Sequence, residues 1–284
     1  MTGDDAPMWQ PRSDCGPGCL PGREPGVCWA RRSGRLVALV GVLLCGVLLV
    51  PALPLLAGSG RHAAGRLWAR VLLRALGVRL SIRGRLPDRT ALLVANHISW
   101  LDVVAMLAVV PVRMLAKREV RRWPLIGALA AAGGTIFVRR DRPRALPGTV
   151  AAVAAVLRSG GVVAVFPEGT TWCGRPAGRS GCGGAGRFRP AMFQAAIDAG
   201  APVVPVAVRY HAGADPGGTT AAAFLGRDSL WASLRRVSAV RGLVVSLTVA
   251  GEIRAVDGAL PARRRLAAAA ESATRPVAGL GLAA

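Results

Sequence analysis

From residue 78 onward, short apolar runs rich in β-branched residues alternate with longer stretches rich in Ala and Leu. The short runs predict strands at Val78 to Ile82, Ala91 to Ala95, Val112 to Ala116, Thr135 to Val138, Val162 to Phe166, Val203 to Val208 and Leu243 to Ala250. The longer stretches predict helices at Leu101 to Ala108, Leu125 to Ala132, Pro147 to Arg158, Pro190 to Ala199 and Ala262 to Ala273. This alternation is typical of an α/β fold with a largely parallel sheet and helices on both faces.

An uncharged apolar segment, Leu36 to Ala57, precedes this region. About 20 apolar residues are enough to cross a hydrocarbon core, but Pro51 and Pro54 interrupt the run. A single crossing therefore competes with a tilted or re-entrant insertion. A cleaved signal peptide is a third possibility, although the 35 residues that precede the run are too many for an ordinary n-region. We interpret the segment as a membrane anchor.

A second pattern follows the anchor, where Arg66, Arg70 and Arg74 recur every four residues. This spacing predicts a short helix with a cationic stripe. We expect it to lie along the membrane surface with its arginines toward phosphates; the alternative is a helix that caps the globular core with its charges in water.

These patterns divide the chain into three parts. Residues 1–35 combine Pro, Gly, Cys and mixed charge without an apolar period, which predicts a poorly ordered tail. We assign residues 36–77 to the anchor and interfacial helix and residues 78–284 to the α/β domain, with a motif-bearing core at 78–210.

Charge narrows the choice of partners. The chain has 37 basic and 15 acidic residues, a net charge of +22, and every basic residue except Lys117 is Arg. Such an excess favours contact with anionic surfaces, either phospholipid headgroups or nucleic acid. Because a long apolar run flanked by arginines is unusual in a nucleic-acid-binding domain, we expect a membrane surface as the partner and no nucleic acid.

The six cysteines give no sign of a metal site in the linear sequence. We read neither Cys15-x3-Cys19 nor Cys173-x8-Cys182 as having the spacing of a zinc site, and no histidine lies near them. We therefore predict unpaired thiols and no bound metal or other cofactor. Disulfides are not expected if the α/β domain is cytosolic.

Two polar motifs follow predicted strands. His97 and Asp102 come directly after the strand at Ala91 to Ala95, and Glu168, Gly169 and Thr170 come after a later strand. Because the carboxyl ends of parallel strands meet at one edge of a sheet, we expect the two motifs to share a crevice. Asp102 would then orient the imidazole of His97, as the acid does in hydrolase triads.

In this order the two motifs resemble the glycerolipid acyltransferases, which move a fatty acyl group from a thioester to a lysophospholipid hydroxyl. Two further blocks strengthen the resemblance: Gly134 to Arg139, which we match to the family's Gly-x-x-Phe-x-x-Arg block, and Pro202 to Val208. The resemblance implies that His97 is the general base and Asp102 its orienter. It also implies that Arg139 holds the acceptor's phosphate and that Glu168, Gly169 and Thr170 position the acceptor. No metal is required.

The expected reaction joins an acyl group from acyl-CoA or acyl carrier protein to a lysophospholipid, most simply 1-acylglycerol-3-phosphate, giving phosphatidic acid. The same reaction on another lysolipid, such as lyso-ornithine lipid, stays open, because Ile98 and Trp172 depart from the family's usual residues beside the two motifs. A non-catalytic basic membrane-binding protein is the rival from another class. A serine hydrolase is disfavoured because no Gly-x-Ser-x-Gly motif occurs. We expect the protein at the membrane with its catalytic domain facing the cytoplasm, where acyl thioesters are found.

Overall fold

The computed structural model describes residues 11–22, 26–175, 185–213, 218–226, 228–255 and 261–275. The helices of eight or more residues in these ranges are α1 (Trp29–Leu49), α2 (Gly58–Ala75), α3 (Trp100–Val109), α5 (Leu146–Arg158), α7 (Leu230–Ala239) and α8 (Ala262–Thr274). Two shorter helices are α4 (Ile126–Ala132) and α6 (Phe193–Asp198). The strands are β1 (Arg79–Arg83), β2 (Ala91–Ala95), β3 (Val112–Lys117), β4 (Ile136–Val138), β5 (Val162–Val165), β6 (Val203–Ala212) and β7 (Leu243–Val249).

The seven strands form one sheet in the order β1-β7-β6-β2-β5-β3-β4. Five of the six neighbouring pairs are parallel, and only β6 and β7 run antiparallel. The prediction of a largely parallel sheet is therefore confirmed. Strands β2 and β5 are direct neighbours at its centre, so their carboxyl ends lie side by side.

Both faces of the sheet are covered by helices, as the apolar runs predicted. In β2 every residue is buried, and alternate residues contribute to opposite cores: Leu93 belongs to the larger cluster with α2 and α3, whereas Leu92 and Val94 belong to the cluster with α5, α6 and α8. A strand covered on both faces has no polar side, which explains the continuous apolar run in the sequence.

The N-terminal helix α1 is docked on the domain. Gly46 packs against Trp68 of α2, whose indole Nε1 donates to the carbonyl of Val42 at 3.0 Å. At its other end, Arg35 donates to the carbonyls of Ser238 and Val240 at 2.9 and 2.8 Å. These contacts fix α1 against α2 and the end of α7.

The apolar segment is helical along its length. Helix α1 is followed by a 3-10 helix at Val50–Leu55, because Pro51 has no N–H to continue the α-helical ladder. In the described part of the chain, Trp29–Leu55 is the one helical segment long and apolar enough to cross a membrane, with a mean hydropathy of 2.8 in its best window. Leu48 and Leu55 are about four-fifths exposed, so this segment is a candidate membrane segment.

The boundaries differ from the sequence predictions at the N-terminus. Helix α1 begins at Trp29, seven residues before the predicted anchor, because its first turns carry arginines that the search for an uncharged run excluded. Cys15 and Cys19, predicted to lie in a poorly ordered tail, are buried in the larger core cluster. The division into tail, anchor and catalytic domain stays a prediction.

Candidate active site

The loop after β2 presents His97 at the carboxyl edge of the sheet. Asn96 makes the transition: its side-chain amide donates to the carbonyl of Val208 at 3.0 Å and accepts from the Val208 N–H at 2.7 Å. These two bonds fix the loop to β6 at the position where β2 leaves the sheet. The side chain of His97 is 19% exposed, so the imidazole lies at the surface of a crevice.

A buried carboxylate holds the imidazole. Asp102 Oδ2 lies 2.9 Å from His97 Nδ1 and also accepts hydrogen bonds from the backbone N–H groups of Ile98 and Ser99, at 2.7 and 2.9 Å. Ser99 is the N-cap of α3 and forms a capping box with Asp102. Because Asp102 is fully buried and tied to the helix start, its carboxylate fixes one nitrogen of the ring. No described residue bonds to the other nitrogen, Nε2.

Tyr210, which the sequence analysis did not assign to the site, completes the surroundings of Asp102. Its hydroxyl donates to Asp102 Oδ1 at 2.5 Å from strand β6. Burial and the neighbouring Asp102 carboxylate raise the pKa of Tyr210 well above its usual value, so this hydroxyl stays protonated as a donor. It is the only tyrosine in the chain. The one feature of the sequence that could have indicated this role of Tyr210 is its inward-facing position in the alternating pattern of β6.

The second motif lies directly beside the first. Phe166, one residue past β5, stacks on the imidazole of His97 with ring centroids 3.9 Å apart. Glu168 Oε2 accepts a hydrogen bond from the backbone N–H of His97 at 2.6 Å. The predicted crevice shared by the two motifs is therefore present in the geometry.

Glu168 is a buried carboxyl with an altered acidity. Glu168 is 3% exposed, and this burial raises its pKa to about 8. The hydrogen bond from the His97 N–H lowers the pKa, whereas the negative charges of Asp102 and Glu271 raise it further. At neutral pH the group is therefore mostly protonated. A neutral carboxyl beside the imidazole does not repel an anionic ligand.

Gly169 forms the turn after Glu168. Its φ is +76°, in the left-handed region that favours glycine, and its carbonyl accepts a hydrogen bond from Arg140 at 2.6 Å. Burial lowers the pKa of Arg140. Thr170 follows in a half-buried position, and its side chain has no hydrogen-bond partner among the described residues.

Arg139 lies farther from the imidazole. It follows β4, three strands away from β2 in the sheet, which corresponds to roughly 14 Å at the usual spacing of strands. Its guanidinium is about one-third exposed and lies 3.7 Å from Asp141. The family spacing Gly-x-x-Phe-x-x-Arg, counted from Gly134, ends on Arg140 rather than Arg139. Both arginines border the cavity described next.

Two small cavities open beside Glu168 and Gly169. One, of about 240 Å³, lies between the ends of β4 and β5 and includes Arg139, Arg140, Phe166 and Gly169 in its wall. The other, of about 380 Å³, is lined by Glu168 and residues of the 186–190 segment. The two arginines give the first cavity a cationic wall next to the turn at Glu168 and Gly169, which we call the motif turn.

Two segments that are distant in sequence, at residues 171–172 and at Phe224, bond to the backbone of the His97 motif. The Trp172 N–H donates to the carbonyl of His97 at 2.8 Å, and the Phe224 N–H donates to the carbonyl of Ile98 at 3.0 Å. The Thr171 hydroxyl in turn donates to the carbonyl of Phe224. The backbone around His97 is thus fixed by two neighbouring segments, at residues 171–172 and at Phe224, a feature that sequence spacing could not indicate.

The fold and the site define a class: α/β proteins with an imidazole oriented by a buried carboxylate at the carboxyl edge of a largely parallel sheet. Residues 77–209 match the family model described as Acyltransferase. A lyso-ornithine lipid O-acyltransferase of Rhodobacter capsulatus is 32% identical over 291 aligned positions, which cover 96% of this chain and 95% of that relative. A Pseudomonas aeruginosa protein of the same name is 34% identical, over 72% of this chain and 77% of the relative. The chain therefore belongs to the acyltransferase family.

Two other similarities are more limited, the first in the length covered and the second in sequence identity. A 1-acyl-sn-glycerol-3-phosphate acyltransferase of Neisseria meningitidis serogroup B is 39% identical over 144 residues, which cover 50% of this chain and 53% of the relative. The chain thus matches about half the length of this relative and of its Neisseria gonorrhoeae counterpart. The crystal structure of the LPA acyltransferase PlsC from Thermotoga maritima superposes with a TM-score of 0.62 at 17% identity, covering 86% of this chain and 92% of that one. Identity this low demonstrates the shared fold alone.

Proposed function

We propose that this protein transfers a fatty acyl group from an acyl thioester, acyl-CoA or acyl carrier protein, to the free hydroxyl of a lysophospholipid at a membrane surface. The observation that carries the proposal is the hydrogen bond between His97 Nδ1 and Asp102, combined with the contact of the His97 loop with Glu168. The sequence identity between this chain and named lysolipid acyltransferases supports the same reaction.

In the proposed reaction the lipid hydroxyl is the nucleophile. Asp102 keeps the Nδ1 proton of His97 in place, so Nε2 takes the hydroxyl proton while the oxygen attacks the thioester carbonyl carbon. The carbon–sulfur bond then breaks, and the proton on Nε2 passes to the leaving thiolate. An ester and a free thiol result, and His97 returns to its neutral form.

The remaining site residues have supporting roles in this proposal. Glu168 is mostly protonated at neutral pH, so it can accept the His97 N–H and still avoid repelling an anionic acceptor or the oxyanion that forms. Gly169 and Thr170 shape the turn that positions the acceptor. Arg139, with Arg140 beside it, supplies positive charge for an acceptor phosphate.

The first candidate for the acceptor is 1-acylglycerol-3-phosphate, which would give phosphatidic acid. The cationic wall formed by Arg139 and Arg140 favours an acceptor with a phosphate. Lyso-ornithine lipid is the second candidate, favoured by the similarity to its acyltransferase over nearly the whole chain. This lipid has no phosphate, so the two candidates make different demands on the arginines.

The reaction is tested with membranes that contain the full chain, a labelled acyl-CoA or acyl carrier protein, and a panel of lysolipids. His97→Ala should abolish the labelled diacyl product. His62→Ala is the matched control, because His62 is exposed on α2 and should leave the rate unchanged. If wild-type membranes consume no acyl thioester while anionic lipid binding persists, the protein is a basic membrane-binding protein and the proposal is wrong.

The acceptor is tested with Arg139→Ala and Arg140→Ala, assayed on lysophosphatidate and on lyso-ornithine lipid. If the phosphate assignment is right, Arg139→Ala should lose activity on lysophosphatidate at least tenfold more than on the phosphate-free acceptor. Arg142→Ala is the matched control, since this exposed side chain lies 3.9 Å from Asp141 and is not part of the wall of the cavity. Equal effects of Arg139→Ala and Arg142→Ala would remove the phosphate role from Arg139.

A further inference from the structure

Three cysteines that are far apart in the sequence meet inside the protein. The sulfur atoms of Cys15, Cys19 and Cys173 all lie within 4.8 Å of one another. The three residues are 4%, 3% and 2% exposed, respectively. Within the described residues, no other group of three His, Cys, Asp or Glu side chains comes together in this way.

Local structure brings the first pair together. Cys15 precedes and Cys19 ends the 3-10 helix Pro17–Cys19, in which the Cys19 N–H donates to the carbonyl of Gly16 at 2.9 Å. The three residues between the two cysteines are within the range of paired zinc ligands, C-x(2–4)-C. The sequence analysis rejected the spacing of both cysteine pairs, which was wrong for Cys15 and Cys19; Cys182 lies outside the described residues.

The third sulfur joins from the loop after the Glu168 motif. The backbone N–H of Cys173 donates to Cys15 Sγ at 3.3 Å. Hydrogen bonds of this kind stabilise negative charge on sulfur and are a regular feature around metal-bound thiolates. The contact therefore gives Cys15 Sγ a hydrogen-bond donor, in addition to the packing of apolar thiols.

The distances suit a metal ion. In a tetrahedral site with zinc–sulfur bonds of about 2.3 Å, neighbouring sulfurs are about 3.8 Å apart. The observed sulfurs, all within 4.8 Å of one another, would need to approach by at most about 1 Å per pair to reach that geometry. Soft thiolate ligands select zinc over hard cations such as magnesium or calcium.

We propose that Cys15, Cys19 and Cys173 bind a zinc ion that joins the N-terminal segment to the loop beside the active site. The described residues supply three of the four ligands of a tetrahedral site. Binding converts three thiols to thiolates and releases three protons, without any change in oxidation state. The burial of the ligands leaves no access for a lipid, so the ion is structural.

The proposed zinc site lies next to the loops that carry His97 and Gly169. Cys173 directly follows Trp172, whose N–H supports the carbonyl of His97. Pro11, four residues before Cys15 in the N-terminal segment, lies close to Gly169 and lines both cavities. The ion would therefore fix the loop after the motif turn and hold the N-terminal segment across the site.

The test measures metal in the full chain, so it does not depend on the proposed reaction. The protein is purified in detergent with a reductant, reconstituted with zinc, freed of excess metal, and analysed by elemental mass spectrometry and by competition with a chromophoric chelator. We expect about one tightly held zinc per chain. Cys15→Ser, Cys19→Ser and Cys173→Ser should each weaken zinc binding more than about tenfold. Cys28→Ser, at an exposed cysteine, is the matched control and should bind zinc as the wild type does.

A second variant separates metal binding from core packing. Cys173→His keeps a zinc ligand, whereas Cys173→Ser is closer to cysteine in size but is a poor ligand. If the cluster binds zinc, the histidine variant should hold the metal more tightly than the serine variant. The proposal is overturned if reconstituted wild-type protein keeps no zinc, if the serine variants bind it as tightly as Cys28→Ser, or if protein alkylated at lysis contains a disulfide among the three cysteines.

Discussion

Replacing Asp102 with asparagine tests the orientation of the imidazole most directly. The three donors at Oδ2 are His97 Nδ1 and the N–H groups of Ile98 and Ser99, and the single donor at Oδ1 is the hydroxyl of Tyr210. An asparagine would therefore turn its amide oxygen toward the three donors. Its amide nitrogen would face Tyr210, whose hydroxyl can rotate to accept.

This arrangement limits the expected loss. In hydrolase triads the same substitution lowers kcat by about 10⁴ because the ring adopts the wrong tautomer, whereas here the amide oxygen can keep His97 in the same tautomer. What disappears is the attraction between a carboxylate and the positively charged ring in the transition state. For charges about 4 Å apart at an effective dielectric constant of 20 this attraction is about 4 kcal/mol. We therefore expect kcat to fall by about 10³.

The assay is the initial rate of acyl transfer by purified variants at saturating acceptor, with thermal unfolding as a check on folding. Tyr210→Phe is the matched control: it removes one hydrogen bond to the same carboxylate but keeps the charge, so we expect a loss of about tenfold or less. Asp102→Ala would be less informative, because it removes the acceptor of all four hydrogen bonds and so destabilises the fold. A loss below tenfold for Asp102→Asn would refute the role assigned to the carboxylate.

Two further predictions concern the motif turn. The pKa of Glu168 is about 8 in the folded protein and near 4.3 in an unfolded chain. As the pH rises between these values, the unfolded chain loses its proton first, which favours unfolding. The wild type should therefore lose up to about 5 kcal/mol of unfolding free energy between pH 4.5 and 8.5 through this group. Glu168→Gln should lack this loss, and thermal unfolding at pH 5 and pH 8.5 checks it; equal pH dependence in both proteins would contradict the prediction. Gly169→Ala should destabilise the protein by about 1–2 kcal/mol, because the left-handed backbone there disfavours a Cβ. Gly148→Ala, at a helical position with open space, should not; similar melting temperatures for the two variants would show that the turn tolerates a side chain.

The sequence predicted the centre of the sheet best. Strand β2 has the predicted bounds, and β5 ends within one residue of them, because strands covered on both faces leave an unbroken apolar run between polar loops. Helix α7 was missed, since it follows a Gly-rich segment and carries a narrow apolar stripe among Ser and Arg. The antiparallel pairing of β6 with β7 depends on long-range packing that no local pattern encodes.

The site was predictable to the same limited degree. His97 and Asp102 are five residues apart, so a turn and a helix start suffice to predict their contact. Tyr210 reaches the same carboxylate from 108 residues away, and Cys173 reaches Cys15 from 158 residues away. Contacts at such separations depend on the strand order of the sheet and on the course of the N-terminal segment, neither of which spacing alone reveals.

The paired hydrogen bonds between Asn96 and Val208 make one side chain act as a surrogate peptide group. The chain can thereby leave β2 while β6 keeps its hydrogen bonds at Val208, and the next residue, His97, reaches the surface of the crevice. Only an amide offers both a donor and an acceptor in this planar arrangement; an aspartate at the same position would set an oxygen against the carbonyl of Val208. The choice of asparagine at position 96 is therefore determined by its two hydrogen bonds to β6 as much as by its place before His97.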